Sequence, residues 1–545
     1  MTGPLGDPRC RQETHSDAKK EVRELNTFNL IDQPWIPVQT ADGTTRKANL
    51  RDVLVFSHEL VSVAHPSPLV TVAVHRLLLA ILHRNFGPPG TTEWTALWKN
   101  GRWDGSTLDS YFAEWRDRFD LFGPTRPFYQ VPPMEGAVLH PPEQLVQEAA
   151  TGNNPTLFDH SREDAPTPLT PGEAACYLLA QQCFAIGFGK SSPFYFSDAP
   201  LVRGVSVLIL GGDGYRANLF ETLALNLRDY AGGTGDIPAW EVDEPPTPRA
   251  EGTIPAGYLD YLTWQSRRIN LIASDDGAAV TGCRIQQNLR LGGDFTDPFK
   301  AYRIDEKRGR VPVPLSPEKA LWRQADSLFQ LSPPGEKESS RSGRPYIFDW
   351  AAQARGRAKR KGMPIRDRYR FGAYGMATDP GKAASVLLWR QETLPLPLDI
   401  LDDPSLSENV GQAIGLAEEV GGVLRAAARD LCACLLASED DIGGRQAHPD
   451  DQKRLSRHFG LERTFWAVLG GSFPQLVSNL PDGPDEAMDR WLEDIDRAAR
   501  AAFHAFSAEA GTSARALKAI VRAERTFRSG LVRVTRRWKE EGAVS

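Results

Sequence analysis

Two glycines that flank an aromatic residue, with a lysine next in line, have the types and spacing that most directly suggest chemistry: Gly187, Phe188, Gly189 and Lys190. Glycine has no side chain, so its peptide groups can lie directly against a phosphate or the edge of a base. Gly189, Lys190 and the following serine also repeat the last three positions of a nucleotide-binding P-loop. That motif needs an earlier glycine where this chain has Phe184, and a preceding strand. A nucleotide site and a plain turn therefore stand as alternatives to nucleic-acid contact.

The elements on either side of this glycine loop can be predicted from hydrophobic periodicity. Apolar residues recur at three- and four-residue steps from 172 to 186, which is typical of a helix. The short apolar run 205–210 is typical of a buried strand. We therefore predict that the loop connects a packed helix to a packed strand.

Length and composition indicate a globular protein of two or three domains, with 545 residues, 41% hydrophobic and 25% charged. The longest apolar runs, such as 77–82, are short for a membrane span, and the first 27 residues are polar without a signal-peptide core. We expect a cytoplasmic protein without membrane contact. The net charge of −6 disfavours a protein that coats nucleic acid, so any such contact must be local.

We find no arrangement of residues typical of catalysis or of metal binding. The six cysteines include no CxxC pair, which argues against zinc and against a disulfide framework. His448 and the acids after it indicate the start of a helix, and the glycine-rich loop 232–236 lacks the strand and helix of a dinucleotide site. The sequence predicts a protein that is not an enzyme and has no cofactor.

Three stretches, in this order along the chain, carry a resemblance to a known family: 29–38, 120–130 and the glycine loop. The chain resembles the large subunit of the type I-E CRISPR Cascade complex, the CasA family. Between the last two stretches, 151–160 is similar to the mobile loop of that family, which becomes ordered on assembly and contacts nucleic acid and the adjacent subunit. The residues expected there are Leu157, Phe158 and Asp159.

The resemblance implies a subunit that reads the protospacer-adjacent motif in double-stranded DNA, helps strand separation and R-loop formation, and recruits a helicase-nuclease. The expected partners are target duplex DNA, the guide-RNA ribonucleoprotein with other Cascade subunits, and that nuclease. Gly187 and Gly189 would face the narrow minor groove and Lys190 an adjacent phosphate. A nucleotide-hydrolysing enzyme and a scaffold that only joins subunits remain the alternatives.

Two further family elements have partial counterparts here. A hairpin lysine of the family aligns with 280–287, where its place falls on Arg284 or Ile285, and only Arg284 could donate to the minor groove. The loop 371–384 resembles the family's wedge loop but has no glutamine, so Pro380 or Lys382 would take the wedge position, with an ordinary turn as the alternative.

The strongest charge signal is a basic run in this acidic chain. We expect it to contact phosphate, although a merely solvated face would look the same in sequence. The residues expected to make these contacts are Arg355, Arg357, Lys359, Arg360 and Lys361.

From 406 onward the pattern is helical, with an apolar seam and three further helices at about 450–469, 484–508 and 512–539. The last of them is strongly basic, which indicates contact with displaced single-stranded DNA or an acidic partner, or else side chains that extend along the helices. We predict an α+β chain: a disordered extension (1–27), a mixed α/β nucleic-acid-recognition domain (28–397) and an up-and-down four-helix bundle (398–545).

Overall fold

The computed structural model describes residues 27–131, 136–149, 167–187, 197–212, 217–230, 232–293, 295–330, 342–379, 386–437 and 448–542. The first elements are β1 (Ile36–Thr40), β2 (Thr45–Ala48), α1 (Leu50–Val55), β3 (Leu60–Val63), α2 (Pro68–Phe86), α3 (Thr91–Asn100) and α4 (Gly105–Glu114). There follow β4 (Leu139–His140), α5 (Pro171–Phe184), β5 (Ser206–Leu210), α6 (Leu219–Asn226), α7 (Tyr258–Leu262), β6 (Arg267–Ala273), β7 (Val280–Gln287), β8 (Tyr302–Asp305) and β9 (Gly309–Pro312).

The second half becomes increasingly helical. It contains α8 (Ala325–Phe329), α9 (Tyr346–Arg360), β10 (Arg368–Thr378), β11 (Val386–Pro397), α10 (Leu398–Asp402), α11 (Pro404–Leu436), α12 (Pro449–Phe459), α13 (Leu461–Asn479), α14 (Pro484–Glu509) and α15 (Ala514–Gly542). This mixture of helices and small antiparallel sheets confirms the predicted α+β class. The predicted helix at 172–186 and strand at 205–210 correspond to α5 and β5.

The strands form several small antiparallel sheets among the described residues. Their strand orders are β2-β1-β3, β11-β10-β5, β4-β7-β6 and β8-β9. In the second sheet, β10 pairs with β11 along its whole length and with β5 on its other side. Because β5 follows the glycine loop and β10 follows the basic run, this sheet fixes the distance between the two regions.

Helix α2 lies in the core and packs against α5, α7 and several other elements. It begins with Ser67, whose hydroxyl accepts from the Val70 amide, and with a proline in its first turn. By length and composition it could cross a membrane, which the short apolar runs did not predict, yet 83% of its most apolar window is buried inside the protein. It is a core helix.

The C-terminal helices pack around α11, which contacts α12, α13, α14 and α15. Three predicted helices agree closely with α11, α14 and α15. The predicted helix at 450–469 is wrong: it is two helices, α12 and α13, separated by Gly460 at φ +62°. Glycine takes this left-handed conformation without steric cost and ends a helix there.

An aromatic cluster joins these helices to the rest of the chain. Trp322 lies just before α8, and its ring packs against Trp466 and Phe473 of α13 and Trp491 of α14. The neighbouring Arg323 stacks 3.5 Å from the centre of the Trp466 ring. The same arginine pairs with a glutamate of α11 at 2.7 Å. The predicted domain boundary at 397/398 lies at the start of α10, and it stays a prediction.

Candidate nucleic-acid interface

The glycine loop begins directly after α5. That helix starts with a capping box between Thr170 and Glu173 and ends at Phe184. Of the four loop residues expected to contact DNA, the structure describes Gly187. Phe188, Gly189 and Lys190 lie outside the described residues. The same holds for the remaining mobile-loop and wedge-loop candidates, which are Leu157, Phe158, Asp159, Pro380 and Lys382, and for residues 1–26.

The amide of Gly187 has a partner within the chain. Its N–H donates to Oδ1 of Asp198 at 3.1 Å, and Oδ2 of the same carboxylate accepts from Nε of Arg203 at 2.8 Å. Gly187 is also buried. The expectation that the Gly187 amide lies bare for a ligand is therefore wrong, because Asp198 already occupies it and links the two ends of the loop.

A buried arginine, Arg267 at the start of β6, holds both ends of the loop. Its guanidinium donates from Nη2 to the carbonyl oxygens of Ala185 at 2.9 Å and Ser197 at 2.8 Å. Nη1 donates to the carbonyl of Ser266 at 2.8 Å. Burial lowers the pKa of Arg267 to about 10, so the side chain is charged at neutral pH. The charge strengthens all three hydrogen bonds.

Two further side chains hold the backbone around the loop: Gln182 of α5, which binds Arg267, and Lys300, which binds the segment after the loop. The side-chain amide of Gln182 donates to the Arg267 carbonyl at 2.9 Å and accepts from its N–H at 2.9 Å. Lys300, which is also buried, donates from Nζ to the carbonyls of Pro200 at 2.6 Å and Arg203 at 2.7 Å. Burial lowers the pKa of Lys300 to about 8. Two buried cations thus fix the backbone on both sides of the loop.

Sequence reasoning missed Arg267 and Lys300. For Arg267 a signal exists: it shares strand parity with Ile269 and Leu271, and alternate strand residues point to one face. An arginine with the parity of the buried face must donate to internal acceptors. Lys300 lies outside any helix or strand, and its sequence context carries no comparable signal.

The predicted hairpin donor Arg284 lies within β7, not in the turn between β6 and β7. It faces Asn270 across the pair, and its Nη1 donates to Oδ1 of Asn270 at 3.4 Å. Ile285 pairs with Ile269 and packs against the core. Arg284 has the outward parity of the strand, and Ile285 the inward one. That Arg284 takes the place of the family's lysine stays a prediction.

Two of the five cations of the basic run, Arg355 and Lys359, are neutralised within the chain. Arg355 of α9 is 4% exposed and binds Asp367, Asp399 and Asp402 at 2.6, 2.5 and 2.9 Å. Lys359 pairs with the same Asp367. The expectation that Arg355 contacts phosphate is wrong, because its guanidinium is buried and engaged by three carboxylates, two of which belong to α10.

The end of α9 retains uncompensated charge. Arg357 donates to Oγ1 of Thr92 at 3.3 Å, and Lys361 donates to Oγ1 of Thr95 at 2.9 Å. Arg360 is exposed. Among the described residues no carboxylate pairs with any of these three cations. They form what we call the α9 basic end, which lies against α3.

Helix α15 carries a second basic surface. Its buried side is apolar and includes Ala516, Ala519, Ala523 and Phe527. Three of its arginines pair with glutamates, namely Arg528, Arg536 and Arg537. Other exposed cations find no carboxylate among the described side chains and recur at helical spacing away from the buried side. They are Arg515, Lys518, Arg522, Arg525, Arg533 and Lys539.

The structure is that of an α+β protein with a glycine loop held at both ends and two local basic surfaces. Residues 29–502 match the family model described as CRISPR-associated protein Cse1, and the chain belongs to this family, as the resemblance predicted. It is 32% identical over 516 residues to the CRISPR-associated protein CasA/Cse1 of Thermus thermophilus, covering 92% of this chain and 97% of the relative.

Solved structures agree with this assignment. The structure of Thermus thermophilus CasA (Cse1) superposes with a TM-score of 0.77 at 29% identity, covering 93% of this chain and 99% of that one. A chain from a CRISPR RNA-guided surveillance complex has the same fold, with a TM-score of 0.70 at 24% identity and coverage of 92% and 99%.

Proposed function

We propose that this chain is the DNA-recognition subunit of a CRISPR RNA-guided surveillance complex. It reads the protospacer-adjacent motif in duplex DNA, helps strand separation and R-loop formation, and recruits the helicase-nuclease, without catalysis of its own, in the cytoplasm. Family membership and the complex that holds a protein of the same fold support this proposal. Guide RNA pairing supplies sequence identity in such complexes, which leaves the protein only a short motif to read.

The observation that carries the proposal is the anchoring of the glycine loop. Reading a base edge with backbone groups requires that the backbone be held still before DNA arrives, since ordering it on binding costs conformational entropy. Arg267 and Lys300 hold the backbone at 185, 197, 200 and 203 with charged hydrogen bonds. With the Gly187 amide engaged by Asp198, the amide at Gly189 is our remaining candidate for base contact.

The basic surfaces take separate roles in this proposal. The α9 basic end contacts phosphates of the duplex, and the exposed cations of α15 bind displaced single-stranded DNA. We further propose that α11, α12 with α13, α14 and α15 act as an up-and-down bundle, in which the broken second helix counts as one arm.

Gly189→Asp tests the proposal. In the assembled complex we expect a loss of about 1–3 kcal/mol in binding to a duplex with the correct motif, because the new side chain obstructs the approach and brings a like charge to phosphate. Single-stranded target should bind almost normally, since guide pairing needs no motif reader. Gly415→Asp is the matched control, because Gly415 is exposed on α11 with open space around it.

Equal losses on duplex and single strand would indicate a misfolded loop. No loss on either would leave the loop as a plain turn. A wild-type complex that binds duplexes without regard to the motif would favour the scaffold.

The α9 basic end gives a second prediction. Replacing Arg357, Arg360 and Lys361 together by glutamine should weaken duplex binding irrespective of sequence. The slope of log K against log salt should fall by about 0.9 for each phosphate that the variant no longer neutralises. The control is the same change at three exposed cations of α12, Lys453, Arg454 and Arg457. A slope equal in both variants would mean that the α9 basic end is only solvated.

A further inference from the structure

The outward face of the β6–β7 pair carries four polar residues in two facing rows. Arg268 pairs in register with Gln286, and Asn270 with Arg284. All four side chains are half-buried. We call this set the ribbon ladder.

The opposite face of the same two strands is the packing face. It carries Arg267, Ile269, Leu271 and Cys283, which are all buried. Since successive strand residues alternate between faces, the residues of the ribbon ladder have the parity of the solvated side. Packing therefore does not explain why this face carries two arginines.

Neither arginine of the ribbon ladder is neutralised. Arg268 donates from Nε to Oδ1 of Asn288 at 3.4 Å, and Arg284 donates from Nη1 to Oδ1 of Asn270 at 3.4 Å. Within the described part of the chain no carboxylate pairs with either guanidinium. An amide oxygen orients a guanidinium without cancelling its charge, so the remaining N–H groups stay available to an anion. Two buried arginines elsewhere in this acidic chain, Arg355 and Arg323, have carboxylate partners.

The ribbon ladder begins next to Arg267, the residue that holds both ends of the glycine loop. Arg268 directly follows Arg267, whose side chain binds the carbonyls of Ala185 and Ser197 on the other side of the strand. At the same end, the hydroxyl of Ser197 donates to the side-chain oxygen of Gln287 at 3.4 Å. Strand β6 thus holds the loop through Arg267 and, at the next position, presents Arg268, whose charge has no carboxylate partner among the described residues.

We propose that the ribbon ladder binds the sugar-phosphate backbone of the target duplex, with Arg268 and Arg284 each holding one phosphate. A guanidinium fork suits phosphate oxygens, and phosphate contacts fix the register and orientation of a duplex without reading its sequence. This proposal rests on the proposed function. It adds Arg268 as a positioning residue and gives Arg284 a phosphate in place of the minor-groove base suggested by the resemblance.

The test uses the assembled complex with Arg268→Gln, Arg284→Gln and the double variant. Binding is measured at several salt concentrations to a duplex with the correct motif and to one with an altered motif. We expect a several-fold loss on both duplexes, an unchanged ratio between them, and a slope of log K against log salt that falls by about 0.9 per arginine removed. Arg303→Gln is the control, an exposed arginine on the β8–β9 hairpin.

Arg268→Lys separates charge from folding. It should retain most of the salt slope, because a lysine still neutralises a phosphate. An unchanged slope in the Arg268→Gln variant would overturn the proposal. A loss confined to the correct motif would also overturn it, since this would assign the contact to a base. If the wild-type complex fails to distinguish the two duplexes, the proposed function fails. The salt slopes of the arginine variants still show whether Arg268 and Arg284 bind phosphate.

Discussion

Replacing Trp322 by alanine should lower the free energy of unfolding by about 3–5 kcal/mol, the range for a buried aromatic residue truncated in a packed core. Trp322 is 3% exposed. Its ring centre lies 4.9 Å from that of Phe473, 5.8 Å from that of Trp466 and 6.0 Å from that of Trp491. The alanine would leave a cavity between rings of α13 and α14, where the C-terminal helices meet the rest of the chain.

Urea denaturation followed by tryptophan fluorescence measures this effect. Trp115→Ala is the matched control, because Trp115 is only half-buried at the end of α4 and should cost clearly less. If the free energy of unfolding of the Trp322 variant lies within about 1 kcal/mol of the wild-type value, the surrounding helices must fill the cavity. The aromatic cluster would then not be needed to hold α13 and α14 against the rest of the chain.

The sequence predicted those elements of the fold whose signals are local. Apolar spacing placed α5, β5, α11, α14 and α15 within a few residues of their observed bounds. It failed at Gly460, where the residues on both sides keep a helical pattern and only the left-handed backbone of one glycine separates α12 from α13. Glycine adopts positive and negative φ about equally well, so the spacing of the neighbouring side chains does not indicate which one Gly460 takes.

The basic run illustrates a different limit. Its charge could be counted in the sequence, but its neutralisation could not, because the carboxylates that bind Arg355 lie 12, 44 and 47 residues further along the chain. Only the packing of α10 against α9 brings two of them to the guanidinium. The charges that remain are those of Arg357, Arg360 and Lys361, two of which face α3 instead of these acids.

The first two of the three stretches that carried the family resemblance contact each other, and the second also contacts β6. Asn29 forms a bridge with Asp120, whose carboxylate accepts from the Phe28 amide at 3.2 Å. The side chain of Gln130 donates to the Leu121 carbonyl and accepts from the amide of Leu271 in β6. Gln130 thereby holds β6, the strand whose Arg267 holds both ends of the glycine loop.

Arg267→Met should lower the free energy of unfolding by about as much as Trp322→Ala, but the damage should lie at the base of the glycine loop. The methionine fills much of the space yet removes every donor. The Ser197 carbonyl then loses its partner, while the carbonyls of Ala185 and Ser266 lose a charged donor and keep only the amides of Ala199 and Asn288. A hydrogen bond from a charged donor contributes about 1.5–3 kcal/mol, and removing the buried charge offsets part of the three that are lost, so we expect the free energy of unfolding to fall by about 3–5 kcal/mol. Arg290→Met is the control, since Arg290 donates to one carbonyl near the surface at 3.2 Å.

The location of the damage distinguishes the clamp from a general core residue. The amides of Ala199 and Leu201 donate to the carbonyls of Ala185 and Cys183 at 2.9 and 2.8 Å, which closes the base of the loop. Their hydrogen exchange should accelerate in Arg267→Met and stay slow in Trp322→Ala under conditions where both variants are folded. Arg267→Lys should fall between wild type and methionine, because an ammonium keeps the charge and can reach fewer of the carbonyls. If exchange at Ala199 and Leu201 is unchanged in Arg267→Met, the stems hold without the arginine, and the anchoring that supports motif reading must come from Asp198 and Lys300 instead.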